Sequence, residues 1–265
     1  MDCRSGESKL IFLWCHPRCL STLFERIVLE RNDIHVLHEP FSYLYYVKKA
    51  HNVTHLNYDA SLPQNYEDIK KNILQCLDKH KQVFVKDMAY HCYEDIIQEE
   101  EFLKKITHVF MIRNPIDSIV SHHKMNPNVS SEEIGYERLY QLFQKVVDLG
   151  CNPLLLQAED ILIEGNEEEV LEESRLPAIL QVFSDYCGLD FQKFSTCWNV
   201  REIEQFSSWK EWHRTCLEST GITQISAEEL TKKQQENLKY IQANGLRGFL
   251  EYHLPFYQKL TAPST

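Results

Sequence analysis

The chain has 265 residues, 43% of them hydrophobic and 25% charged, which suits one large globular α/β domain with a sizeable core. Its formal net charge of −11 argues against a non-specific binder of nucleic acid or of anionic membranes, so an anionic ligand would need a local basic pocket. Nine scattered cysteines without a C-x-x-C pair, and a start MDCRSGESK without an apolar stretch, predict reduced thiols and a cytoplasmic location.

The acidity concentrates in Glu94–Glu101 and Glu164–Glu173, which read as solvated helix faces. The longest apolar runs are too short to span a bilayer, and no membrane partner is expected. Cys15, His16 and Cys19 lack a second ligand pair, so no metal site is expected there.

In chain order, short apolar runs predict strands at about 10–15, 34–38, 82–86, 107–112 and 153–157. Helices are predicted between them at Leu20–Arg31, at Tyr66–His80, and from an Asn114-Pro115 start to about His123. A capping box from Ser130 to Glu133 opens a further helix that ends at Gly150. Asn166–Cys187 is predicted as another, and a helical C-terminal part covers Ile203–Leu217 and Ala227–Asn244. His51–Gln64 and Gly221–Ser226 read as loops. Alternating strands and helices of this kind predict a mainly parallel central sheet flanked by helices. A single domain over residues 1–265 is expected, with a nucleotide-binding core at about 8–190 and the helical part at about 200–260.

Ligands of such sheets sit at the carboxyl ends of the strands. There the sequence places His16-Pro17-Arg18-Cys19-Leu20-Ser21-Thr22, His38-Glu39-Pro40, Lys86-Asp87 with Tyr90 and His91, and Arg113-Asn114-Pro115 with Ser121. The first of these leads from a strand into a helix N-terminus, where unpaired N–H groups and the helix dipole stabilise an anion. It lacks the glycines and lysine of an ATP-type P-loop. Arg18 and Arg113 on separate strands suggest a ligand with two separated anionic groups.

Pro17-Arg18-x-x-Ser21-Thr22 resembles the 5′-phosphosulfate loop of the P-loop sulfotransferases, Pro-(Lys/Arg)-Ser-Gly-Thr-Thr. Arg113 followed by Ser121 resembles that family's 3′-phosphate motif. Leu154–Asp160 is similar to its apolar strand ending in Tyr-Glu-Asp, with Ala158 at the tyrosine, and Val182-Phe183 to Gly188-Leu189 is similar to its F-L-G-L helix end. The resemblance implies a P-loop NTPase-like sulfotransferase architecture. It implies an enzyme that moves a sulfuryl group from PAPS (3′-phosphoadenosine-5′-phosphosulfate, leaving PAP) to a hydroxyl or amine of a small-molecule acceptor. Carried over by position, Pro17, Arg18, Cys19, Leu20, Ser21 and Thr22 would line the phosphosulfate, with Cys19 and Leu20 where the family has Ser and Gly. Arg113 and Ser121 would hold the 3′-phosphate, and Lys86 would stabilise the bridging oxygen.

The transfer needs a base and no metal. Glu39 is the first candidate, its pKa expected to rise through burial beside His38 and Phe41; His91 is the rival, five residues after Lys86 where the family spacing is two. Trp209, Lys210, Trp212 and Arg214 could close over the nucleotide, with Lys210 or Arg214 on a phosphate, or simply pack as an amphipathic helix. Tyr43, Tyr45, Tyr46 and His55 are a candidate acceptor wall. The alternatives are a P-loop kinase of a small metabolite using ATP, with Asp87 holding magnesium, and a non-catalytic nucleotide-binding protein. A homodimer is left open.

Overall fold

The computed structural model describes residues 8–49, 53–163 and 177–262. Its centre is a five-stranded sheet of β1 (Lys9–Cys15), β2 (His35–His38), β3 (Gln82–Met88), β4 (Thr107–Ile112) and β5 (Leu154–Gln157). All pairings are parallel, in the order β2-β3-β1-β4-β5. From β1 the chain travels first to one edge and later returns to build the other. The carboxyl end of β1 is therefore the switch point at which a cleft opens.

The period-two geometry of β1 divides the core. Ile11, Leu13 and Cys15 pack with Phe24, Ile27 and Val28 of α1 (Ser21–Leu29) and Phe183 of α9 (Ala178–Cys187). Leu10, Phe12 and Trp14 pack on the other face with Ile69 and Ile73 of α2 (Tyr66–Lys79) and Leu139, Leu142 and Val146 of α7 (Tyr136–Asp148). Short helices α3 (Ala89–Ile96) and α4 (Glu100–Leu103) follow β3 and carry the first acidic run at the surface. After β4 comes α5 (Pro115–Met125), capped by the Asn114 side chain on the Ile116 N–H, and α8 (Glu159–Leu162) follows β5.

Two predicted helices differ. The Ser130 capping box is present, but it opens only α6 (Ser131–Ile134). Gly135, at φ 85°, breaks the expected helix before α7, and a Cβ there would meet His16 Cβ and Pro17 Cδ, both at 3.1 Å. Close approach to the loop after β1 thus overrides helix continuity. Ile203–Leu217 is not one helix: a 3₁₀ stretch Glu204–His213, bent at Trp209, precedes α10 (Arg214–Glu218). Past the predicted α11 (Ala227–Ala243) lies α12 (Arg247–Thr261), whose periodicity is interrupted by Pro255. Of Asn166–Cys187, residues 164–176 lie outside the described residues, as does the acidic run there.

Candidate active site

The loop joining β1 to α1 takes an uncommon backbone path. Arg18 (φ 63°) and Leu20 (φ 65°) are both left-handed, a region non-glycine residues rarely enter. Leucine therefore adopts the conformation that the resemblance assigns to glycine. Leu20 is the N-cap of α1 and its side chain caps nothing, an arrangement in which first-turn N–H groups can stabilise an anion. Pro17, Arg18, Leu20, Ser21 and Thr22 line a cavity of about 480 Å³, whereas Cys19 is buried in the core beneath the loop. The structure thus places the Cys19 side chain away from the cavity.

Arg113 sits where β4 ends, on the same cavity. His16 ties it to the loop: the imidazole Nδ1 bonds the Pro17 carbonyl at 3.0 Å and Nε2 accepts the Arg113 N–H at 3.1 Å. The Arg113 carbonyl accepts from the Tyr136 hydroxyl, and Tyr136 stacks on His16 at 3.9 Å. Burial pushes His16 down to about 3, so it stays neutral and keeps the acceptor this clamp requires. Arg18 donates from Nε to Ser121 Oγ at 3.0 Å and from Nη1 to the Trp212 carbonyl, and Arg113 Nη1 donates to the Arg18 carbonyl. The two anchors expected to stand apart are neighbours: Arg18 reaches across to the serine of the second motif.

Behind the loop, Lys86 and Glu39 form a buried ion pair. Burial alone would raise the Glu39 carboxyl, but the Lys86 ammonium, helped by His38, holds it well below the usual carboxylate range. The expectation of a raised Glu39 is corrected. Glu39 is also left-handed at φ 42° and lines the cavity. His91 is built differently. Its Nδ1 lies 2.6 Å from Asp87 Oδ1, while Nε2 is buried without a partner and the residue lines the cavity. Asp87 accepts in addition from the Phe41 and Met88 N–H groups at 2.7 and 2.8 Å. It is fully buried with both oxygens hydrogen-bonded, a poor magnesium ligand.

Among the described residues, His38, Glu39 and His213 bring ligand atoms within 4.8 Å of one another. Lys86 occupies the Glu39 carboxylate and the two imidazoles bond each other at 2.9 Å, so these donors are already engaged.

Residues 9–163 match the family described as Sulfotransferase domain, more than half of the chain. The chain belongs to the sulfotransferase domain family. Two similar proteins of Arabidopsis thaliana are named branched-chain-amino-acid aminotransferase-like proteins 2 and 1. The first is 25% identical over 219 residues, 81% of this chain and 36% of that protein. The second is 23% identical over 232 residues, 82% of this chain and 37% of that protein. The chain thus spans little more than a third of the length of these curated relatives. A crystal structure of a sulfotransferase from Alicyclobacillus acidocaldarius covers 90% of this chain and 96% of its own, at 12% identity and TM-score 0.48. The sulfotransferase domain of the Synechococcus PCC 7002 olefin synthase covers 71% and 77%, at 13% identity and TM-score 0.40.

The sulfotransferase match ends at residue 163, yet the cavity is completed from beyond it. Trp209 donates to Ser42 Oγ at 3.1 Å and Trp212 to the Thr54 carbonyl at 2.8 Å, which joins 204–213 to the predicted loop His51–Gln64. Both tryptophans line the cavity, with His213, Thr215, Thr223 and Lys233. Lys210 does not: its ammonium pairs with Glu202 at 2.7 Å, and Arg214 pairs with Glu211, both at the surface. Lys210 and Arg214 are therefore corrected as nucleotide contacts. Of the candidate acceptor wall, Tyr46 lines the cavity, Tyr43 and Tyr45 are buried and do not line it, and His55 is exposed. Sequence reading missed the His16–Arg113 bond, His122 and His213, because each meets a residue distant in the chain: Arg113, Trp212 and Thr22.

Proposed function

We propose that this chain transfers a sulfuryl group from PAPS to a hydroxyl, or less favourably an amine, of a small-molecule acceptor, as a cytoplasmic single-domain enzyme. One observation carries the reading. Arg113 Nε, His91 Nε2 and His122 Nδ1 are buried polar atoms without partners, and all three residues line one cavity beside the left-handed loop. Buried donors and acceptors are normally satisfied, so three orphans converging on a cavity point to a polar ligand.

In this reading Arg18, Ser21, Thr22 and the first turn of α1 hold the 5′-phosphosulfate, and Arg113 with Ser121 holds the 3′-phosphate. His91 is the base: Nδ1–H donates to Asp87, which leaves the Nε2 lone pair to take the acceptor's proton. Glu39, tied to Lys86, keeps that ammonium oriented beneath the loop. The burial of Asp87, with both its oxygens hydrogen-bonded, counts against the magnesium-dependent kinase alternative.

Thermal shift tests the donor. PAP without metal should raise the midpoint of the wild-type chain, and a response confined to ATP with magnesium would sink the reading. Labelled PAPS offered to a panel of phenols, alcohols and amines then identifies the acceptor. His91→Gln should lower turnover about 10²–10⁴-fold with PAP affinity unchanged. If His91→Gln retains full turnover and Glu39→Gln loses it, Glu39 is the base.

A further inference from the structure

His213 reaches the donor loop from outside the family match. It ends the 3₁₀ stretch, is buried, and lines the cavity. Its Nδ1 is 3.2 Å from Thr22 Oγ1 and its Nε2 is 2.9 Å from His38 Nε2, while His38 Nδ1 is 2.7 Å from Glu25 Oε2.

The hydrogens along this chain can be assigned from its carboxylate end. Glu25 accepts, so His38 Nδ1 donates, and with that one proton assigned to it His38 presents a lone pair at Nε2. His213 must then donate from Nε2, which leaves a lone pair at Nδ1 for the Thr22 hydroxyl. The Thr22 proton is therefore turned away from the loop. An anion on the loop needs that proton, and once Thr22 rotates, the His213 Nδ1 lone pair faces negative charge. A proton on Nδ1 removes the conflict and adds a donor.

We propose that His213 is a further donor-binding residue of this domain, and that it holds the loop's anionic group as an imidazolium, taking one proton from solvent when that group binds. This rests on the PAPS reading above. The groups around the imidazole are His38 with Glu25 behind it, Glu39 paired to Lys86, Arg18, Thr22 and the Phe206 ring. Without an anion, burial first and then the Lys86 and Arg18 cations hold His213 below its ordinary value, and Glu39 only partly offsets them. A bound anion supplies the missing opposite charge. The sign follows: binding takes up a proton, so affinity falls as pH rises.

Calorimetric titration of the full chain with PAP at pH 7.5, in two buffers of different ionisation enthalpy, reads the proton count. Wild type should take up about one proton more than His213→Gln; the phosphates of PAP titrate alike in both and cancel. Between pH 7 and 8 the dissociation constant should rise up to about tenfold more for wild type than for the variant. Should the variant fail to fold, wild-type protein with nitrogen-labelled histidine gives the same answer, because His213 should move from neutral to imidazolium shifts on saturation with PAP. Equal proton counts, or neutral shifts at saturation, overturn the inference and leave the PAPS reading standing. Absence of PAP binding by the wild type overturns both.

Discussion

Lys86 and Glu39 stabilise each other only as a pair. Both are buried, and an unpaired buried charge is costly. Lys86→Met should destabilise the chain by about 3–5 kcal/mol in urea denaturation, and adding Glu39→Leu should recover a large part of that loss. Arg113 behaves differently, because its Nε has no partner in the protein to lose. Arg113→Ala should weaken PAP by about tenfold or more while adenosine 5′-phosphosulfate weakens far less, since charge-assisted hydrogen bonds to the 3′-phosphate contribute about 1.5–3 kcal/mol. Equal losses for the two nucleotides would count against the 3′-phosphate assignment. Both arginines and Lys86 were legible as strand-end cations. That Lys86 meets Glu39, 47 residues away, was not, and that contact reverses the expected direction of the Glu39 shift.

At the level of elements, the strands were readable because buried parallel strands are continuous apolar runs, as in KLIFLWC and THVFMI. The helix N-termini at Ser130 and Asn114 were readable from capping chemistry. Breaks set by tertiary approach were not. Gly135 ends α6 because a Cβ there would press on His16 and Pro17, and neither is near in sequence. Gly135→Ala should cost about 1–2 kcal/mol for the left-handed backbone, and more as the loop shifts to admit the methyl. Its mark is a lower denaturation midpoint together with weaker PAP binding; a change in stability alone would show that the loop does not lean on this turn. The stretch Glu204–His213 likewise follows its contacts with Ser42, Thr54, Arg18 and Thr22 rather than a helical period.

For the molecule as a whole, buried histidines set the pH response. Burial lowers His16 and His122 to about 3 and His108 and His253 to about 4, and lowers His213 as well. Each is neutral when folded and binds a proton when unfolded below its ordinary value of about 6.5. Stability from these groups is thus complete above about pH 6.5 and falls as pH drops, each contributing up to about 1.4 kcal/mol per pH unit. Urea midpoints should hold level from pH 7 to 8 and collapse between pH 6.5 and 5; a flat profile to pH 5 would contradict the neutral clamp at His16.

Local regularities suffice for the framework: residue period and the spacing of the two arginine motifs specify the parallel sheet, its strand-end cations and the family. Tertiary contact alone decides which polar groups remain available to a ligand. Lys86 is matched by Glu39 and Lys210 by Glu202, Asp87 is held by two backbone N–H groups and His91 Nδ1, and Arg113 Nε and His91 Nε2 stay unpartnered. Pairing of charges and hydrogen bonds depends on distances of a few ångströms between residues far apart in the chain, and no local pattern carries that information.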